Sequence, residues 1–197
     1  MSFPSIVGFS GNIARPSKTR AFVHYVAQAI SGVDAPEPSV FDIEDFGPSL
    51  PAARSVTELD ARALRLVEQI RHSDILVVGT PTYKGSYTGL FKHFFDLLDP
   101  ADLRGKPIVL TATGGGDRHS LMVEHQLRPL FGFFEAFTLP TAIYASNKDF
   151  PEASSISQAT QARVAQAAEE AQLLLGRPAL LWSSSASATR SAVKLPA

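Results

Sequence analysis

Three short polar loops each follow an apolar run, and their residues suit two kinds of chemistry. The first loop spans residues 10–19 and carries the hydroxyls of Ser10, Ser17 and Thr19 together with Arg15. It leads into a helical pattern of Ala21, Val23, Val26, Ala27 and Ile30. A helix N-terminus offers unpaired backbone N–H groups and the positive end of a dipole. Hydroxyl donors and a guanidinium fork beside it make a phosphate site. The plainer alternative is a polar strand-to-helix turn capped by Ser or Thr, which leaves Arg15 without a use. The loop lacks the three-glycine dinucleotide spacing and the Gly-Lys-Ser/Thr ending of a P-loop.

The second and third loops suit a flat ring. Pro81-Thr82-Tyr83-Lys84-Gly85-Ser86 offers a stiff entry, an aromatic face, a cation and a glycine that admits close backbone approach. Thr113-Gly114-Gly115-Gly116 has almost no side chain, so a planar heterocycle can lie against it. Glycine clusters are also ordinary in turns.

These loops need a scaffold that brings them together. The runs before them, 5–9, 75–79 and 108–112, are short and rich in Val and Ile, as buried parallel strands are. Val40–Ile43 reads as a further strand and 138–144 as the last. Helical stripes occupy 58–71, 90–98, 121–134 with Pro129 inside, and 157–175 with Gly176 as the residue after the helix. Alternating strands and helices predict an α/β flavodoxin-like three-layer sandwich. Its five-stranded parallel sheet takes the order 2-1-3-4-5. Ligands of such sheets bind outside the carboxyl ends of the strands, where all three loops would meet.

Composition bounds the alternatives. The chain has 197 residues, a net charge of −1 and no cysteine. That length suits one domain, expected over residues 1–180, with a Ser/Ala-rich tail over 181–197. Cysteine chemistry is excluded, and no basic stripe suggests a nucleic-acid partner. No apolar run reaches the length of a membrane span, and no signal core opens the chain, so a cytoplasmic protein is expected. The five histidines include no helical pair at metal spacing, and no metal is expected. His24 and His72 read as structural or solvated, and His93 as part of a packing surface. His119, just after the glycines, could reach a bound ring. Phe131, Phe133, Phe134 and Phe137 read as core, while some of Phe91, Phe94, Phe95, Phe131 and Phe134 could form a patch covered by another subunit.

On residues 10–19, Pro81-Thr82-Tyr83-Lys84 and Thr113-Gly114-Gly115 the chain resembles the NADPH-dependent FMN reductase family, from about residue 5 to about 150. The run from Pro81 to Gly89, together with Ala112–Gly115 and His119-Ser120-Leu121, resembles the reductase component of two-component alkanesulfonate and methanesulfonate monooxygenase systems in particular. The resemblance implies FMN and NADH or NADPH as cofactors. It implies Ser10, Arg15, Ser17 and Thr19 on the phosphate. Pro81, Thr82, Tyr83 and Lys84 would surround the isoalloxazine, with Thr113, Gly114 and Gly115 on its far side. Some members of that branch have Tyr where this chain has His125, and a one-residue π-bulge in that helix.

The implied reaction is hydride transfer from the nicotinamide to flavin N5. It is a placement task needing no acid or nucleophile, with Lys84 and His119 as the side chains that could assist. Reduced FMN would then pass to a separate flavin-dependent monooxygenase, and the reductase would be a homodimer or homotetramer. Two other readings share the fold: a flavodoxin-like electron carrier, and an FMN-containing quinone or azo reductase. Carriers usually surround the ring with acidic loops, whereas these loops hold Lys84, Lys92 and glycine.

Overall fold

The computed structural model describes residues 3–32, 34–151 and 155–176. The expected tail over 181–197 lies outside them. Strands β1 (Ile6–Ser10), β2 (Ser39–Asp42), β3 (Ile75–Pro81), β4 (Pro107–Gly114), β5 (Phe137–Thr138) and β6 (Ile143–Ser146) form one sheet. Its helices are α1 (Lys18–Ser31), the short α2 (Ser49–Ala52), α3 (Ala61–His72), α4 (Gly89–Leu97), α5 (Arg128–Phe133) and α6 (Gln158–Leu175). All pairings are parallel, in the order β2-β1-β3-β4, with β5 and β6 both against β4.

The order 2-1-3-4-5 therefore holds, with one correction: the strand expected over 138–144 is two segments. Phe137–Thr138 pairs with the start of β4 and Ile143–Ser146 with its end. Pro140 lies in the break and has no N–H to give the ladder. Arg128 fills the gap, donating to Thr138 Oγ1 and to the carbonyls of Leu139 and Pro140.

Alternation along the strands splits the core between two faces. Phe9, Leu76, Val78, Ile108 and Leu110 point toward α3, α4 and α5. Ile6, Ile75, Val77 and Val109 point toward α1 and α6. The first face is aromatic. Phe9 and Phe94 have ring centroids 4.5 Å apart, and Phe95 meets Phe131 edge-to-face at 4.9 Å. Phe91, Phe94, Phe95, Phe131 and Phe134 are all buried, so none of them forms a surface patch. Phe133 and Phe137 depart from the expected core: they are 71% and 38% exposed.

Helix starts are capped by side chains. Ser17 accepts from Arg20 N, Asp60 from Arg62 N and Ala63 N, and Thr88 from Phe91 N. Ahead of α5, residues Val123–Leu127 form a π turn, closed by Arg128 N–H donating to the carbonyl of Val123. Pro129 has no N–H for the carbonyl of His125, so the ladder is already interrupted there. His125 sits within the widened turn. Among the described residues no helix is long and apolar enough to cross a membrane.

Candidate functional site

The loops after β1, β3 and β4 meet at the carboxyl edge of the sheet and enclose a cleft of about 290 Å³. Ser17, Thr19, Pro81, Thr82, Tyr83, Thr113, Gly114 and Gly115 line it, and all eight are residues picked out from the sequence. Asn12, Ala14, Pro16 and Lys18 complete the wall.

Hydrogen bonds lock the loops to one another. Thr19 Oγ1 and Thr113 Oγ1 lie 2.7 Å apart and tie the first loop to the third. Thr82 N–H donates to the carbonyl of Thr113 at 2.7 Å and ties the second to the third. Thr88 Oγ1 donates to the carbonyl of Gly11, tying α4 to the first loop. The chain's own hydrogen bonds thus hold the three loops around the cleft.

Within the first loop, Ser10 is fully buried and its hydroxyl donates to Asn12 Oδ1 at 2.7 Å. It shapes the loop from beneath and does not line the cleft. Arg15 also lies off the lining. Its Nε donates to Asp42 Oδ2 at 2.8 Å, and its Nη2 reaches Asp42 Oδ1 at 2.6 Å and Asp45 Oδ1 at 2.8 Å. Asp42 and Asp45 hold the guanidinium above its ordinary pKa, so Arg15 stays charged. Ser17 Oγ caps α1 by accepting from Arg20 N at 3.2 Å, leaving its own O–H to donate. Capping therefore does not use up the hydroxyl of this lining residue.

In the second loop, Tyr83 and Ser86 exchange backbone hydrogen bonds of 2.9 and 3.1 Å around a two-residue turn. Lys84 and Gly85 occupy its centre at φ 54° and 86°, the primed turn that normally takes Asn-Gly. Lys84 stands at the tip, off the cleft lining. The Tyr83 amide is committed inside the turn, whereas those of the two central residues take no part in that pair. Tyr83 is 49% exposed and presents its ring at the rim. Ser86 Oγ donates to Gln126 Oε1 at 3.1 Å, joining the turn to the π segment.

The third loop is shaped by close approach. A Cβ on Gly114 would stand 2.1 Å from the Tyr144 hydroxyl. That hydroxyl donates to the carbonyl of Gly116 at 2.7 Å, and burial pushes its pKa up. Its oxygen can still accept, and the Thr82 hydroxyl, buried beside it, acts on it to lower that pKa. His119 lies beyond the lining, its Nε2 accepting from Arg118 Nε at 3.1 Å. His125 lines a separate apolar recess with Tyr87, Leu130 and Phe133. Among the described residues no cluster of three or more His, Cys, Asp or Glu could hold a metal.

Asn12 and Lys18 line the cleft and Asp42 holds its first loop, and the sequence singled out none of the three. Asn12 and Lys18 stand inside the phosphate-like loop. Asp42 carried one usable signal, a carboxylate at the end of an apolar strand, where an unpaired charge is costly.

A parallel sheet carrying a hydroxyl- and glycine-walled cleft at its switch point defines a nucleotide-binding α/β protein of flavodoxin-like type. The chain belongs to the NADPH-dependent FMN reductase family, whose model matches residues 4–151. It is 42% identical to an NADH-dependent FMN reductase, SfnF, of Pseudomonas fluorescens, over 89% of this chain and 95% of that protein. Against an FMN reductase (NADPH) of Pseudomonas aeruginosa it is 39% identical over 87% and 92%. Among solved structures, an oxidoreductase from Corynebacterium diphtheriae aligns with a TM-score of 0.79 and 32% identity, covering 90% of this chain and all of that one. The chain is accordingly an oxidoreductase of FMN and a reduced nicotinamide nucleotide.

The cleft suits that flavin. Among the described residues one cation, Lys18, and no carboxylate line it, which suits a phosphate. Gly114 and Gly115 offer a wall without side chains, and Pro81–Tyr83 supply the other.

Proposed function

We propose that this protein reduces FMN with NADH or NADPH and supplies the reduced flavin to a separate flavin-dependent monooxygenase, one that desulfonates sulfonates. The observation that carries the reading is the convergence of the three loops on one cleft that, among the described residues, no carboxylate lines. In this reading Ser17, Thr19 and the first N–H groups of α1 hold the phosphate, with Ser10 and Arg15 shaping the loop around it. Pro81, Thr82, Tyr83 and Lys84 border the isoalloxazine, and Thr113, Gly114 and Gly115 lie on its far side. FMN supplies the hydride-accepting centre. The chain places the two rings, and the outward amides at Lys84 and Gly85 favour the negative charge that develops on the reduced ring.

We also propose a cytoplasmic homodimer or homotetramer, with Phe133 and the recess beside it covered by a second subunit. A monomer of full activity by light scattering would refute that assembly. Nucleotide oxidation followed with and without added FMN tests the main reading. Oxidation that rises with FMN and saturates supports it, and the faster nucleotide identifies the donor. No oxidation while FMN stays bound would mark an electron carrier instead. Stimulation of a sulfonate monooxygenase in a coupled assay tests the partner.

A further inference from the structure

Asp42 ends β2 with no exposed surface and yet carries a charge. Burial pushes its carboxyl up, but hydrogen bonds from Arg15 and Asn12 and the charges of Arg15 and Arg20 outweigh it and hold the group below its ordinary range. An apolar side chain would fill such a site at less cost, so stability alone does not explain a carboxylate there. Its donors give the better reason. Asn12 Nδ2 reaches Asp42 Oδ2 at 3.1 Å, and Arg15 spans both oxygens at 2.8 and 2.6 Å. Both donors belong to the loop after β1, three residues apart, on either side of the lining residue Ala14. Asn12 also donates to the carbonyl of Ala14 at 3.1 Å. Asp45, which accepts the Asp42 N–H at 3.0 Å, takes the remaining reach of Arg15 at 2.8 Å.

We propose that Asp42 is a positioning residue for flavin phosphate recognition: it clamps Asn12 and Arg15 and so sets the shape in which residues 14–19 meet the phosphate. The proposal rests on the FMN reading above. In this arrangement Arg15 is a strut whose charge neutralises two carboxylates beside an anion site. It is not a ligand waiting to be released. The two roles predict effects of opposite sign when Asp42 is removed.

The test measures dissociation constants for FMN and for riboflavin, which lacks the phosphate, on the full chain and its Asp42→Ala and Asp42→Asn variants. Steady-state constants for flavin and nucleotide are measured alongside. The expected result for Asp42→Ala is FMN binding weaker by about tenfold or more, with riboflavin binding, nucleotide KM and kcat at saturating FMN within about twofold. Asp42→Asn, which keeps the volume and one acceptor oxygen, should move the same way by less, and it carries the comparison should Asp42→Ala fail to fold. Tighter FMN binding would overturn the proposal by showing Arg15 freed to reach the phosphate. Unchanged FMN binding would overturn it, as would equal losses for FMN and riboflavin, which mark a merely structural role. A wild-type protein that reduces no flavin, or binds riboflavin as well as FMN, would instead defeat the FMN reading itself, and the proposal with it.

Discussion

Thr19 Oγ1 and Thr113 Oγ1 share a buried hydrogen bond of 2.7 Å that joins the first turn of α1 to the end of β4, across 94 residues of sequence. Both residues also line the cleft. The bond therefore sets the spacing between the phosphate-side loop and the ring-side loop. Thr113→Val keeps the shape and strands the Thr19 hydroxyl. A buried polar group left without its partner costs about 1–3 kcal/mol. Urea unfolding should show that loss, and flavin titration should show weaker FMN binding.

Gly114 and Gly85 serve different physical ends. Gly114→Ala should drive a methyl group into the Tyr144 hydroxyl, 2.1 Å from the ideal Cβ position. Overpacking of this kind costs roughly 1–3 kcal/mol and should shift the ring-facing wall. Adding Tyr144→Phe removes the clashing oxygen and should restore part of both stability and FMN affinity, as thermal unfolding and titration of the double variant would show.

Around Gly85 there is open space, so only the backbone is at issue. At φ 86° an added Cβ costs about 1–2 kcal/mol with no steric clash, and Gly85→Ala should lose that much by denaturant unfolding. Lys84→Asn makes the favoured turn pair and should gain up to about 1 kcal/mol. Measured together, the two variants separate turn strain from any role of the Lys84 charge, which would appear only in the nucleotide kcat/KM.

Arg15→Ala removes the strut that spans Asp42 and Asp45 and leaves two carboxylates beside the first loop without their counter-charge, so it should weaken FMN binding while leaving riboflavin binding little changed. Isothermal titration reads the loss directly. Unchanged affinity would show that the first loop keeps its shape without Arg15.

Acid should unfold this protein partly through Asp42. Its carboxyl titrates lower in the folded state than the ordinary value near 3.9 of an unfolded chain. The unfolded state thus binds the proton first. The stabilisation is complete above about pH 4 and is lost as pH falls through the folded value. Asp149, whose carboxyl is held low despite burial by Ser146, Ser157 and Thr160, adds to the same limb. Urea midpoints across an acid pH series should fall more gently for Asp42→Asn than for the wild type.

Much of this molecule is legible from local pattern. Short Val- and Ile-rich runs marked the strands, and the loop chemistry after each marked eight of the cleft-lining residues. Both signals are local, because apolar periodicity reports which way a side chain faces and loop composition reports what a strand end presents. Pairing is another matter. Arg15 looked free for a phosphate, yet it is spent on Asp42 and Asp45, which the pairing of β1 with β2 brings beside it. Phe131, Phe133 and Phe134 are equally apolar neighbours, but only the packing of α5 on the sheet buries two and exposes the third. The last strand broke at Pro140, where Arg128 rather than a continuous ladder satisfies the carbonyls. Composition and spacing thus decided the fold and the kind of ligand. Which polar groups remain unpaired to meet that ligand was decided by contacts between residues far apart in the chain, which no local window contains.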